Sequence, residues 1–433
     1  MNPRKLAVAV AVMLTGSLGA VRGAVDAAWM DQPPVRETLI IHPEEQRRLL
    51  ELEAAGVQSI RPLALPEGRF LKGANHHLGW PVGIKIGKTL ICAYHQTLKH
   101  HGSGPMHDAD SSEAVMVRST DGGTTWSAPA DMRQFGINQT PLVLKFGNCF
   151  GVLSNKVFFA TAYGLYRSAD EGLTWELIPG ALTQKQTGTT VGGNFGPRMV
   201  VHPQKGLMIP VGRERKPEVD VFYSNDEGVT WRHEEVPGTN EIHPLEPTAF
   251  YHDGLLIFLS RNHPLPFRFA GQLHTPQRPC MLVSRTGWFP FTHQEISNIS
   301  SFRWPDTANV DYNPVTKRYE AVVNNRFGGA EAQETDQSQG NTVNLWSISK
   351  EDLRAGNSTA WRFESTLLQL TTGRQEWEID AAHPGGAVMD EANGVQHVFV
   401  YAGLFATGKT GIYRITRTLH TDRLRTARLQ AGK

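Results

Sequence analysis

A chain of 433 residues with 43 Lys and Arg against 42 Asp and Glu has a formal net charge of +1. Such a balance sets up no global field toward nucleic acid or an anionic bilayer, so neither is expected as a partner. Three cysteines (Cys92, Cys149 and Cys280) are too few for a disulfide scaffold, so stability must come from a packed core.

The first residues read as a targeting segment. Arg4 and Lys5 precede the apolar run Leu6–Leu18, which is shorter than the ~20 residues a membrane span needs. Small residues at Gly19, Ala20, Gly23 and Ala24 offer cleavage sites. The sequence therefore predicts a signal peptide over 1–23, a secreted or periplasmic protein, and no membrane span. Residues 24–65 are expected to form an N-terminal extension. Within it, Pro43–Gly56 reads as a short helix that starts acidic and stops at glycine. From 66 to 433 short apolar runs alternate with Gly, Pro, Asn and Asp turns, which predicts strands; only Thr421–Gln430 again looks helical. Cys92, inside Thr89–Tyr94, is expected in the core. Cys280 with His252, His263 and His274 matches no zinc spacing, so no metal is expected.

Three stretches share the pattern S-x-D-x-G-x-T-W: Ser119–Trp126, Ser168–Trp175 and Ser224–Trp231, starting 49 and 56 residues apart. Asp and Ser side chains bond the backbone of their own turn, Gly admits positive φ, and Trp is an apolar anchor. Weaker echoes follow at Ser284–Trp288, at Ser347–Leu353 and at Gly411–Thr416. A β-rich repeat near fifty residues indicates propeller blades, and six units of four strands fit one domain over 66–433. The predicted fold is all-β, a six-bladed propeller with a short N-terminal helix.

The repeated turn resembles the Asp box of sialidases and related propellers. Glu246–Arg261 is similar to a sialidase blade, with a glutamate at its front and an arginine at its end. The resemblance implies that Glu246 polarises a catalytic group and that Arg261 joins an arginine clamp on a sugar carboxylate, which a guanidinium fork binds through both oxygens. The clamp is incomplete. Leu78-Gly79-Trp80-Pro81 has no arginine where the first would stand, and Arg326, Arg198 or Arg213 are the candidates to complete it. His383 falls at the place of the nucleophilic tyrosine, while Tyr401 lies further on, on an inner strand. Asp380 or His383 would then activate water directly, giving inversion, with Asp108 or Asp110 in the loop 97–112 in the acid's region.

The expected activity is that of an exo-acting glycoside hydrolase, monomeric and without a cofactor, releasing terminal sialic acid from sialylated or other acidic glycans. Glu246, Asp380, His383 and Asp108 are its candidate catalytic residues; Arg261, Arg326, Arg198, His77 and His95 are its candidate binding residues. Two other readings remain open. His77 and His95, on neighbouring strands, suit proton abstraction by a propeller-type polysaccharide lyase on a uronate polymer. An incomplete clamp also suits a non-catalytic glycan-binding propeller.

Overall fold

The computed structural model describes residues 57–64, 77–97, 113–131, 149–161, 164–182, 194–212, 219–237, 245–262, 267–269, 272–274, 278–295, 305–325, 341–370, 379–381, 386–404 and 409–419. The signal peptide and both predicted helices lie outside them. Strand β1 (Val57–Ala64) belongs to the last sheet and is taken up there. Blade 1 is β2 (His77–Ile86), β3 (Thr89–Thr97), β4 (Glu113–Ser119) and β5 (Ala130–Asp131); blade 2 is β6 (Cys149–Leu153), β7 (Lys156–Thr161), β8 (Gly164–Ser168) and β9 (Glu176–Leu177). Blade 3 starts with a broken inner strand, β10 (Asn194–Phe195) and β11 (Val200–His202), followed by β12 (Gly206–Gly212), β13 (Val219–Ser224) and β14 (Arg232–Glu235). Blade 4 is β15 (Leu245–His252), β16 (Leu255–Asn262), then the separate ribbon β17 (Phe267–Phe269) and β18 (Gln272–His274), then β19 (Arg278–Ser284) and β20 (Thr292–Glu295). Blade 5 is β21 (Pro305–Asn313), β22 (Arg318–Asn325), β23 (Asn341–Ser349), helix α1 (Lys350–Ala355) and β24 (Arg362–Leu370). Blade 6 has the inner pieces β25 (Ile379–Ala381) and β26 (Gly386–Asp390), then β27 (Val395–Leu404) and β28 (Lys409–Thr418).

The ring closes through β1, which pairs antiparallel with β28 and supplies the outer strand of blade 6. The propeller therefore takes in Val57–Ala64, which the sequence assigns to the N-terminal extension, and does not start at 66. That pairing joins residues some 350 positions apart, and no local pattern announces it.

Each S-x-D-x-G-x-T-W stretch forms the turn between the third and fourth strands of blades 1, 2 and 3. In the first, Ser119 Oγ donates to Asp121 Oδ1 at 2.8 Å and accepts from Gly123 N at 2.8 Å. Thr125 donates to the same carboxylate from its amide (2.9 Å) and hydroxyl (2.6 Å), and Trp126 Nε1 donates to Gly123 O at 3.3 Å. The other two turns repeat this set around Asp170 and Asp226. Partial burial works against charge on Asp121, but the bonds from Thr125 and Ser119 outweigh it and hold its carboxyl down to about 2. The glycines, at φ 91, 83 and 83, lie against the preceding blade. A Cβ on Gly172 would meet Ile91 Cδ1 at 2.5 Å, and one on Gly228 would meet Leu165 Cδ2 at 2.4 Å. Glu227, one residue before Gly228, reaches back to Lys156 at 2.6 Å. These turns therefore fasten each blade to its predecessor.

The later echoes are looser. Between β19 and β20, Thr286 takes the Asp position and bonds Ser284 at 3.1 Å. In blade 5, α1 replaces the turn. Ser349 caps it by accepting from Asp352 N at 3.0 Å, and Gly356 ends it at φ 78.

Apolar clusters fill the joints between blades, as with Ile91, Phe150, Phe159 and Trp175 between blades 1 and 2. Cys92, Cys149 and Cys280 are buried and unbridged. No described helix is long and apolar enough to cross a membrane. Inner strands approach closely at the axis. Gly196 N donates to Pro247 O at 3.0 Å, and a Cβ on Gly196 would lie 2.5 Å from that oxygen. Gly196→Ala is expected to lose about 2 kcal/mol in urea unfolding through this backbone clash. Gly254→Ala, with φ +75 but nothing within 4 Å, should lose only about 1 kcal/mol, from conformation alone.

Between blades 6 and 1, His397 is buried with Asp390 (3.8 Å), and Asp390 also meets Lys85 at 3.4 Å. Burial first, then the Arg414 charge, hold the imidazole down to about 4 despite Asp390. The unfolded chain, whose histidine titrates near ~6.5, binds the proton more tightly. The stabilisation is thus complete above about pH 6.5 and is lost as pH falls through about 4. Urea midpoints are expected to fall from pH 7 to 4, and to fall less in His397→Gln. Asp121, lowered from 3.8 to about 2, keeps its contribution across that window and loses it only as pH falls below it toward about 2.

Candidate functional site

The starts of the first and third strands and the ends of the second strands lie at one mouth of the ring; the S-x-D-x-G-x-T-W turns lie at the other. Glu246, Asp380, His77 and Arg261 all belong to strand ends at the first mouth.

The inner strands share an irregularity at this level. Register shifts fall between Gly79 and Val82, between Leu245 and Thr248, and between Pro305 and Ala308. In each, two residues stand opposite one, a bulge that re-aims a side chain. In blades 1 and 4 the bulged pairs are Trp80-Pro81 and Glu246-Pro247. Trp80 sits at φ 49 and Glu246 at φ 51, although neither is glycine and a following proline further restricts the backbone. Such conformations cost of order 1–3 kcal/mol each and concentrate where function requires them. Blades 1 and 4 face each other in a ring of six, so the two bulged residues stand on opposite sides of the mouth. The Glu246 side chain is only 3% exposed.

Arg261 lies on β16 in register with Leu245, next to Glu246 in the chain. Asp380 pairs with Gly403 on β27. His77 opens β2 opposite Thr97, and His95 lies on β3 opposite Gly79. His95 is buried, edge-on to Trp80 with ring centroids 6.0 Å apart. Tyr401 is on β27, the second strand of blade 6 and not an inner one. It is buried, and its ring is 6.1 Å from that of Trp80. Asp108, His383 and Arg326 lie outside the described residues.

Arg198 has a different place from the one expected. From the inner edge of blade 3 its guanidinium meets Asp311 of blade 5 at 2.6 and 3.3 Å, and donates to Val310 O and to Ala387 O of blade 6. Blade 6 is opposite blade 3, so this side chain crosses the axis and floors the mouth. Its fork is occupied by Asp311, and a sugar carboxylate would have to displace that partner.

The sequence reading overlooked Trp80, treating its segment as the place of a missing arginine. A signal was available. A residue-proline step recurs at blade starts, at Trp80-Pro81, Gly196-Pro197, Glu246-Pro247, Trp304-Pro305 and His383-Pro384. Elsewhere, Asp220, His233 and Glu235 on the outer strands of blade 3 bring their donor atoms within 4.8 Å of one another. His233 Nε2 is already 2.7 Å from Asp220 Oδ1, and none of the mouth residues takes part.

No family profile matches this chain, and no curated protein does. Solved structures do. A protein of unknown function from Dyadobacter fermentans aligns at 16% identity and TM-score 0.56, over 83% of this chain and 99% of that one. A mutant of NanB sialidase from Streptococcus pneumoniae aligns at 11% identity and TM-score 0.52, over 83% and 71%. A Trypanosoma rangeli sialidase mutant displaying trans-sialidase activity aligns at 12% identity and TM-score 0.50, over 86% and 58%. At such identities the likeness is one of fold: this chain is a six-bladed propeller of the sialidase type.

Proposed function

We propose that this protein is an exo-acting glycosidase that removes a terminal acidic sugar, sialic acid first among them, from glycoconjugates. One observation carries the reading: Glu246 is held in a left-handed backbone at the mouth, its side chain enclosed, with Arg261 on the adjoining strand opposite the preceding residue, Leu245. A carboxyl at such a position can hold or move a proton at the reacting centre. An arginine next to it suits a sugar carboxylate, which its fork meets through two parallel hydrogen bonds. Asp380, on an inner strand of blade 6 two blades further round the same mouth, would supply the second carboxyl that glycoside hydrolysis requires, with His383 close by in sequence. That two fold relatives are sialidases decides which substrate to try first. The leader expected over 1–23 would bring the protein to glycans outside the cytoplasm.

The test is a product screen of the purified protein against sialylated glycans and uronate polymers. Free sialic acid or another acidic monosaccharide supports the reading, and NMR of the first anomer released separates inversion from retention. An unsaturated, ultraviolet-absorbing uronide would replace it with the lyase reading. Binding without any product would leave a glycan-binding propeller.

A further inference from the structure

We infer that Trp80 is the platform on which the bound sugar ring stacks. The unit held at this mouth would then present a flat C–H face to blade 1 and its polar and charged groups to blade 4. This rests on the glycosidase reading for the identity of the sugar.

Four observations lead there. A bulky aromatic at φ 49 is a genuine outlier, and glycine would relieve it. Secondly, the three tryptophans of the repeated turns are buried with their Nε1 bonded to a turn carbonyl, and so are accounted for by folding. Trp80 is only half-buried and belongs to a strand end at the mouth, with the inner side of its ring packed on the apolar cluster between blades 6 and 1. Thirdly, the ring is held from behind. His95 meets it at an interplanar angle of 80° and Tyr401 at 52°, so both wedge the indole and neither lies flat on it. Such support fixes the ring before ligand arrives, which lowers the ordering cost of binding. Finally, Glu246 lies across the mouth in the matching bulge of the opposite blade. A mouth with one aromatic wall and one carboxyl wall can hold a ring that is apolar on one face and hydroxylated at its edge.

The probes are 3′-sialyllactose and a galacturonate oligosaccharide, with Kd from calorimetry, KM and kcat from product release, and Tm from melting. Trp80→Leu is expected to raise Kd and KM about tenfold for the probe that binds. Trp80→Phe, which keeps a ring, is expected to stay within about threefold with Tm held, while Trp80→Leu should lower Tm modestly for the packing it loses. Loss of binding in both variants together with a parallel fall in Tm would make Trp80 a folding residue and overturn the inference. Turnover of a probe by the wild type with KM unmoved in Trp80→Leu would overturn the platform and leave the glycosidase standing. Binding without turnover, lost in Trp80→Leu and kept in Trp80→Phe, would overturn the glycosidase and leave the platform. A wild type that binds neither probe overturns both.

Discussion

Arg417→Met is expected to lose about 3–5 kcal/mol of folding free energy, the characteristic loss when one member of a buried ion pair is removed. Arg417 of blade 6 is 1% exposed, and its guanidinium meets Glu320 of blade 5 at 2.5 Å. The pair is fully dressed. Arg417 Nε donates to Gln396 Oε1 at 2.7 Å, and Glu320 Oε1 accepts from Asn313 Nδ2 at 2.9 Å. Methionine fills much of the volume of the arginine stem, so the loss measures an uncompensated carboxylate more than a cavity. The double variant Arg417→Met with Glu320→Gln removes both charges and should recover a large part of the loss. Urea unfolding of the two single variants and the double one gives the coupling directly. Additive losses would mean that the two side chains act independently, against the geometry. The same chain of contacts continues inward: Gln396 donates to Asp311 at 3.5 Å, and Asp311 holds Arg198 across the axis. Two arginines and two carboxylates thus link the outer part of blades 5 and 6 to the floor of the mouth with no net charge.

How much of this was legible in the sequence depended on how local each feature is. The repeated turns were readable because every bond they make lies within a few consecutive residues, from Ser119 to Trp126 and likewise in the next two blades. The fourth turn was harder, since Thr286 stands where Asp would be, and in the fifth a capped helix replaces the turn altogether. The closing strand could not be placed, because β1 finds β28 only after the ring is complete. The site divides in the same way. Glu246 and Arg261 stood out because both lie in one hairpin, and the structure keeps them neighbours. Arg198 was misjudged because its partner Asp311 is 113 residues away, and only the ring geometry puts them together. Trp80 was passed over because an absent arginine was sought at its position; the strained backbone that singles it out is not written in residue identity.

Glu246→Gln is expected to lower kcat on the glycan identified by the product screen by about 10²–10⁴-fold, the usual worth of a positioned proton-transfer group. KM should change little, because glutamine keeps the volume and most of the hydrogen-bonding reach of glutamate. Stability should change little too, since both residues strain the backbone alike at φ 51. The sharper variant is Glu246→Gly. Glycine occupies this region without the Cβ conflict, so it relieves about 1 kcal/mol of strain. Glu246→Gly should therefore unfold at slightly higher urea than the native protein while losing turnover entirely. A residue that lowers stability where it stands, and whose removal abolishes activity, is retained for its chemistry. Should Glu246→Gly instead lose stability in step with activity, the carboxyl would be a structural partner of the mouth, and the proton-transfer role would pass to Asp380 or His383.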